Sequence, residues 1–427
     1  MKRLKFLKNV VVDFQSTLFT AIKNCRLLFL IFTILYSLFS IHCLYAFTYP
    51  DAVIGLGDPV TGSGARSLAM GSTGITSSNE PSVMFINPAG LATIDSKMFS
   101  FGFGVVPVTE RVDTTSKDAP FYNSQSYFHL NNIAINYPLS KSGNAQFGLG
   151  FFPAYDFQYR HKKYNYSGGK RAGFKKITGE GAFYSITPAL SFKTNFIAMG
   201  IAYNSLSGKP KLEIKDTTYA AGTIAEASTK TVLTANISGG QLNIGTILFP
   251  SDNIRLGIIY KPGFEVENKY KIDTSSGTSK YRYPDEFGFG LAYFFGGQGE
   301  NKIVADFLVK NWASFKVKYE GQQSYTKIPG FRNCTELHIG AEHEISQDVV
   351  LRYGFYYQPY YAAREFEKVF FTAGVGLGIS TILSVDIAGE YGKRNYRFID
   401  SEERFWAPDQ RVDESIKRIV VQGKLKW

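Results

Sequence analysis

The stretch Asn243–Phe264, NIGTILFPSDNIRLGIIYKPGF, holds two alternating runs around one short polar break. In the second run Ile254, Leu256, Ile258 and Tyr260 fall on one face of an extended chain, because successive side chains of a strand point to opposite sides. Pro250–Asp252 interrupt the alternation with turn-forming residues. The stretch is a two-stranded hairpin with one apolar face. The same texture continues in both directions. Phe287, Phe289, Leu291, Tyr293 and Phe295 share a face opposite Gly288, Gly290 and Ala292. Ile303, Ala305, Phe307 and Val309 oppose Asp306, Lys310 and Trp312, and Val385, Ile387 and Tyr391 oppose Asp386, Ala388 and Glu390. Fourteen such runs start near Lys97, Tyr127, Asn144, Ala182, Phe196, Ile237, Asn253, Arg282, Lys302, Thr335, Val349, Phe366, Leu383 and Ser415. Each is about ten residues long, the length a tilted membrane strand needs.

A soluble β-sandwich shares this alternation, so the connections decide. Short links, Ser140–Gly143, Thr194-Asn195, Pro250–Asp252, Gly296–Glu300, Ser346–Asp348 and Ser380–Ile382, alternate with long ones at about 109–126, 156–181, 208–236, 265–281, 317–333 and 396–414. The link at 361–365 is a shorter exception. Short turns on one side and long loops on the other characterise an outer-membrane barrel. An even strand number places both ends on the short-turn side. The last run, with Ile419, Val421, Gly423, Leu425 and Trp427 on one face, is an amphipathic strand ending in an aromatic residue, and Trp427 is expected to serve as the signal read by the barrel assembly machinery.

Composition agrees with an all-β membrane protein. The chain has 36 Phe, 27 Tyr and 41 Gly. Its mean hydropathy is −0.11, near neutral, as a wall with one lipid-facing and one wet face requires. No apolar run after Ala46 reaches the roughly 18 residues of a membrane helix. Residues 1–46 differ: Lys2, Arg3, Lys5, Lys8, Lys23 and Arg26 precede an apolar run from Leu27 to Leu38, and Leu44-Tyr45-Ala46 follow. Basic region, apolar region and small-residue site make a long secretory signal, expected to be cut after Ala46. Of the three cysteines only Cys334 lies outside it, which excludes an internal disulfide in the exported part. Residues 47–95 are rich in Gly, Ser and Pro, with a possible short helix near Ala65–Met70.

The net charge is +11, and the basic signal carries much of it. The remainder is only mildly basic, which favours lipopolysaccharide or acidic ligands over nucleic acid. Catalytic chemistry is not indicated. His338 and His343 are five apart on one strand and face opposite sides, so they cannot share a metal. His129 and His161 have no ligand-like spacing. Gly168-Gly169-Lys170 lacks the upstream spacing and the Ser or Thr of a phosphate loop. No enzyme activity, cofactor or metal is expected.

Phe85-Ile86-Asn87-Pro88-Ala89-Gly90-Leu91, the hairpin Asn243–Phe264, the run IVADFLVKNWASFK from Ile303 to Lys316, and FTAGVGLGISTILSVDIAGEYG from Phe371 to Gly392 together resemble the FadL/TodX-type (OmpP1-like) outer-membrane transport family. The likeness extends over the exported chain. Gly64–Gly71, GARSLAMG, followed by Asn87-Pro88-Ala89, also resembles PorV-type barrels that serve a protein secretion system. That reading, or a purely structural barrel, is the alternative. The resemblance implies a 14-stranded antiparallel transmembrane β-barrel over residues 96–427, with residues 47–95 as a plug, or hatch, in its lumen. It implies a monomer in the bacterial outer membrane, among lipid and lipopolysaccharide, that passively transports long-chain fatty acids or other hydrophobic small molecules. It places a hatch motif at Asn87, Pro88 and Ala89. It also places a lateral exit at a kink in the third strand, here QFGLGFFPAYDF (residues 146–157). Gly148, Gly150 and Pro153 are the kink candidates there, because proline lacks the ladder amide and glycine weakens a strand. Asn87-Pro88 is expected to form a stiff turn, Asn bonding its own backbone two residues on. Phe151, Asp306, Lys310 and Trp312 are the lumen or ligand candidates.

Overall fold

Fourteen strands hydrogen-bond in sequence and close on themselves. They are β1 Met98–Asp113, β2 Phe121–Pro138, β3 Ala145–Asp156, β4 Ala182–Lys193, β5 Ile197–Gly208, β6 Glu226–Ser251, β7 Ile254–Lys261, β8 Glu286–Phe295, β9 Asn301–Lys310, β10 Cys334–Ser346, β11 Val349–Gln358, β12 Lys368–Gly378, β13 Leu383–Phe398 and β14 Gln410–Lys426. Every neighbouring pair is antiparallel, and β14 pairs with β1 from Met98↔Lys426 to Asp113↔Arg411. Closure pairs every strand with a neighbour on each side, as the hydrocarbon of a membrane favours, although one seam is paired over only part of its length. This computed structural model describes residues 56–76, 80–113, 121–167, 170–219, 226–296, 301–362, 367–398 and 410–427. The expected export signal, residues 1–46, and the first part of the expected hatch lie outside the described residues.

Alternation sets the two faces of the wall. Phe147, Leu149, Leu190, Phe192, Ile201, Tyr203, Phe287, Phe289 and Leu291 are exposed on the outside. Asn132, Asn136, Gln146, Asp306, His338, Asp386 and Gln422 are buried on the inside. An apolar surface of that extent, circling the molecule, is far beyond the patches a soluble protein leaves in water. It is a lipid-facing belt.

Much of what reads as long loops is β-structure. Tyr159–Ser167 with Lys170–Glu180, Glu265–Ile272 with Ser275–Arg282, and the single strands Lys211–Tyr219 and Lys316–Tyr319 join the first part of β6 in one sheet beyond the belt. These strands alternate Lys, Glu and Thr with Leu, Ile, Val and Tyr, so hydropathy marks them only faintly. The connections at 139–144, 194–196, 252–253 and 347–348 are short turns. Both ends of the barrel lie on that side, where the Trp427 amide donates to the Lys97 carbonyl at 3.1 Å.

Residues 56–97 fill the lumen. They contain a two-residue strand, Asp58–Pro59, a short helix α1, Ala65–Ala69, and two 3-10 turns, Pro81–Phe85 and Pro88–Thr93. Ala65, Met84, Ala89 and Leu91 are fully or almost fully buried. The wall accommodates them with bare backbone. A Cβ at Gly245 would lie 1.8 Å from the Asn87 Oδ1, one at Gly200 2.3 Å from the Ala89 amide nitrogen, and one at Gly340 2.3 Å from the Met70 carbonyl oxygen. No side chain fits at these close approaches.

Candidate functional site

The hatch is bonded to the wall residue by residue. Asn87 caps the second 3-10 turn by accepting from the Ala89 amide at 3.0 Å, and its Nδ2 donates to the Ile75 carbonyl at 2.7 Å. From β6, Asn243 Nδ2 donates to the Phe85 and Ile86 carbonyls at 3.2 and 3.1 Å. From β9, Asp306 Oδ2 accepts the Gly74 and Ile75 amides at 2.8 and 3.0 Å. His338 on β10 donates its Nδ1–H to the Gly71 carbonyl at 2.7 Å. Arg66 of α1 meets Glu342 in a two-pronged pair, 2.8 and 2.7 Å. Glu342 also receives Lys302 at 2.9 Å and Arg352 at 2.6 Å, and Arg352 reaches Asp386 at 2.6 Å. Arg66, Lys302, Arg352, Glu342 and Asp386 thus form a buried ion-pair network, as low-dielectric surroundings favour, while Asp306 is held by backbone amides.

Beside the hatch the lumen changes character. A cavity of about 120 Å³ opens between hatch residues Ile75, Phe85 and Ile86 and the wall. Tyr155, Phe264, Tyr283 and Trp312 form its aromatic side. Their rings interlock: Phe264 stacks on Tyr283 at 5.0 Å, and Trp312 stands edge-on to Tyr283 at 5.8 Å. Trp312 also stacks on Tyr361 at 4.1 Å. Burial among these rings pushes the Tyr283 hydroxyl well above its ordinary range, so it stays neutral. The opposite side is ionic: Lys261 donates to Glu286 at 3.0 Å and Lys310 to Glu336 at 2.8 Å. These two pairs cancel, while Asp285 and Asp306 add carboxylates bonded to Asn311 and to hatch amides, so the cavity is amphipathic with an acidic excess.

The wall next to this cavity is parted. β2 and β3 pair only from Ile133↔Phe151 to Pro138↔Gln146. Beyond Phe151, β3 stays bonded to β4, with a bulge between Pro153 and Tyr155. β2 continues with β1 alone, as far as Val112↔Phe121. The free edge of β3 is taken by the hatch. Asp58 pairs with Asp156, Pro59 with Tyr155, and the Val60 amide donates to the Ala154 carbonyl at 3.0 Å. A second, smaller cavity of about 50 Å³ lies behind the parting, lined by Val106, His129, Asp156 and Phe370. Hatch residues Pro59, Val60 and Thr61 border both cavities.

The residues singled out from sequence distribute as follows. Asp306, Lys310 and Trp312 all border the larger cavity. Asn87, Pro88 and Ala89 lie where the hatch abuts Gly200 and Gly245. Gly148 and Gly150 sit in regular ladder positions, against Met84 and Leu91 or Phe152, and the irregularity of β3 is at Pro153–Tyr155. Phe151 does not face the lumen. It lies on the outer face, stacked on Tyr184 at 5.0 Å, while its neighbour Phe152 is buried against Phe85 at 4.9 Å. Neighbours in a strand point oppositely, and the sequence alone does not say which is inside. His338 and His343 face opposite sides, and no cluster of metal-ligating side chains occurs among the described residues. Missed altogether were Tyr155, Phe264 and Tyr283, and the hatch strand at 58–59. Aromatics within two residues of a Pro or Gly, at the ends of the alternating runs, were the available signal.

The family model for outer membrane protein transport proteins (OMPP1/FadL/TodX) matches residues 59–404. Among solved structures the chain is similar to the toluene transporter TodX of P. putida, at 17% identity and a TM-score of 0.64, over 86% of this chain and 99% of that one. It is similar to a Pseudomonas aeruginosa FadL homologue, at 13% identity and 0.63, over 86% and 99%. It is also similar to the toluene transporter TbuX of Ralstonia pickettii, at 17% and 0.59, over 86% and 98%. At these identities the likeness is one of fold. No curated protein matches the sequence.

Proposed function

Because the chain belongs to the OMPP1/FadL/TodX family of outer membrane transport proteins, we propose that it carries hydrophobic small molecules through the outer membrane by a route that leaves the barrel sideways. The ligand enters from the long-loop side, settles in the amphipathic cavity and passes hatch residues 59–61. It then leaves between β2 and β3 into the lipid. The observation that carries this reading is the parting of β2 from β3 beyond Ile133↔Phe151, with a cavity behind it.

The cavity favours small apolar ligands. About 120 Å³ is close to the roughly 150 Å³ of an engineered apolar cavity that binds benzene. One aromatic ring fits. An acyl chain has to thread onward past Val60 into the second cavity, its head group on the Lys261–Glu286 and Lys310–Glu336 side.

Uptake of radiolabelled toluene and of oleate by cells lacking their own hydrophobic-compound transporters tests the proposal. The wild-type protein raises uptake of at least one. Ala154→Trp, which fills the space where β3 meets both the hatch and the cavity, abolishes the gain while the barrel still shows heat-modifiable mobility. No gain over the empty vector with either compound, or full uptake by the Trp variant, sinks the route.

A further inference from the structure

The sheet that stands beyond the lipid belt has two unlike faces. Val266, Tyr270, Tyr281 and Val317 point inward and pack in one apolar cluster with Tyr283 and Trp312. Residues of opposite parity point outward, on the same side as the belt, because Ser238 lies opposite Glu267 and shares its face with Ile244 farther along β6. On that outer face the pairing register sets Glu265 opposite Arg282 and Glu267 opposite Lys280, and then like charges side by side. Arg282 lies directly opposite Lys316, and Lys316 directly opposite Lys327. In the next row Lys280 lies opposite Lys318. Like charges in directly opposed positions destabilise a sheet. Other lysines of this sheet have acid partners: Lys280 with Glu265 at 2.5 Å, Lys230 with Glu213 at 2.9 Å. Among the described residues, Arg282, Lys316, Lys318 and Lys327 make no ion pair.

Their height is also defined. Arg282 precedes the lipid-facing Phe287 by five residues, and Lys316 follows the lipid-facing Val309 by seven. At roughly 3.3 Å per residue these cations lie at most about 23 Å beyond the end of the belt. The long-loop side of such a barrel faces outward, where phosphate groups of the outer-leaflet glycolipid occupy this level. A cross-strand spacing of about 4.8 Å lets two neighbouring cations reach one phosphate.

We propose that Arg282, Lys316 and Lys318, with Lys327 beside them, form a binding site for the phosphates of outer-leaflet lipopolysaccharide. Glu265, opposite Arg282, is already engaged by Lys280, and bound phosphate would supply the further counter-charge that Arg282, Lys316 and Lys318 lack.

Native mass spectrometry of the full-length protein in dodecyl maltoside, titrated with bis-phosphorylated or with dephosphorylated lipid A, tests it. The phosphorylated lipid is retained, and the triple variant Arg282→Ala, Lys316→Ala, Lys318→Ala weakens retention roughly tenfold or more. Lys316→Arg with Lys318→Arg keeps it, which separates charge from misfolding. Equal retention of the dephosphorylated lipid by the wild type overturns the site, as does unchanged retention by the triple variant when heat-modifiable mobility shows it folded.

Discussion

Two seams of one barrel are built differently. Between β14 and β1 the ladder runs from Met98↔Lys426 to Asp113↔Arg411, interrupted only between Val105 and Val108. Between β2 and β3 it stops at Ile133↔Phe151, and the hatch bonds to the strand edge left over. Both seams cross the same membrane, so both must satisfy their backbone groups. The first does so with a neighbouring strand. The second does so only in part with the plug, which bonds β3 at residues 154–156 while β2 beyond Ile133 pairs with β1 alone, so the wall there is not continuous. A barrel can therefore be locally open while something inside covers part of the exposed strand edge.

The largest expected effect tests the closed seam. Val421 faces Phe103 on one side and Ile387 on the other. Val421→Pro removes a ladder amide there and leaves a backbone carbonyl unpaired in the hydrocarbon, a loss of several kcal/mol. Loss of the heat-modifiable band on a detergent gel, with degradation in cells, is the expected result. An intact band would mean that this seam tolerates what the β3 edge tolerates at Pro153.

Next comes the support of the open seam. Asp306→Ala strips two charge-assisted bonds from the Gly74 and Ile75 amides, each worth roughly 1.5–3 kcal/mol. The barrel should persist while the hatch loosens. Hydrogen exchange at residues 70–76 should rise by orders of magnitude while amides of β13 and β14 stay protected. Uniform loss of protection would show that hatch and wall unfold together.

The smallest effect on stability is the sharpest probe of the opening. Pro153→Thr restores an amide at the bulge and should shift stability by less than about 1 kcal/mol. It lets β3 continue toward β2, so uptake should fall severalfold. Unchanged uptake would detach the bulge from transport.

The barrel was legible because two simple signals coincide, period-2 alternation and the segregation of short from long connections. Asn87 was legible too: its side chain does bond two residues on, to the Ala89 amide. What stayed hidden depends on register and on distant pairing. Phe151 and Phe152 differ only by parity, which a bulge or a one-residue slip inverts. The sheet beyond the belt escaped notice because its inner face mixes Asn268 and Ser279 with Val266 and Tyr281, which weakens the alternation. The inward glycines at 200, 245 and 340 looked like strand weaknesses. Their reason is the plug, which lies more than a hundred residues away in sequence from each of them. The hatch strand at 58–59 is two residues long, below what any periodicity can register.

The bonds that hold the hatch also bear on how much work passage requires. A cargo leaving straight down the axis would have to dislodge the plug. Breaking the Arg66–Glu342 pair costs roughly 3–5 kcal/mol, and freeing Asp306 from two amides adds about 3 kcal/mol or more. At 1.36 kcal/mol per factor of ten, these two anchors alone would slow each crossing roughly ten-thousand- to millionfold. A transporter built that way would need an engine on the far side. On the proposed route, a cargo slipping out between β2 and β3 would leave both anchors untouched, and its own concentration gradient would be enough to drive it.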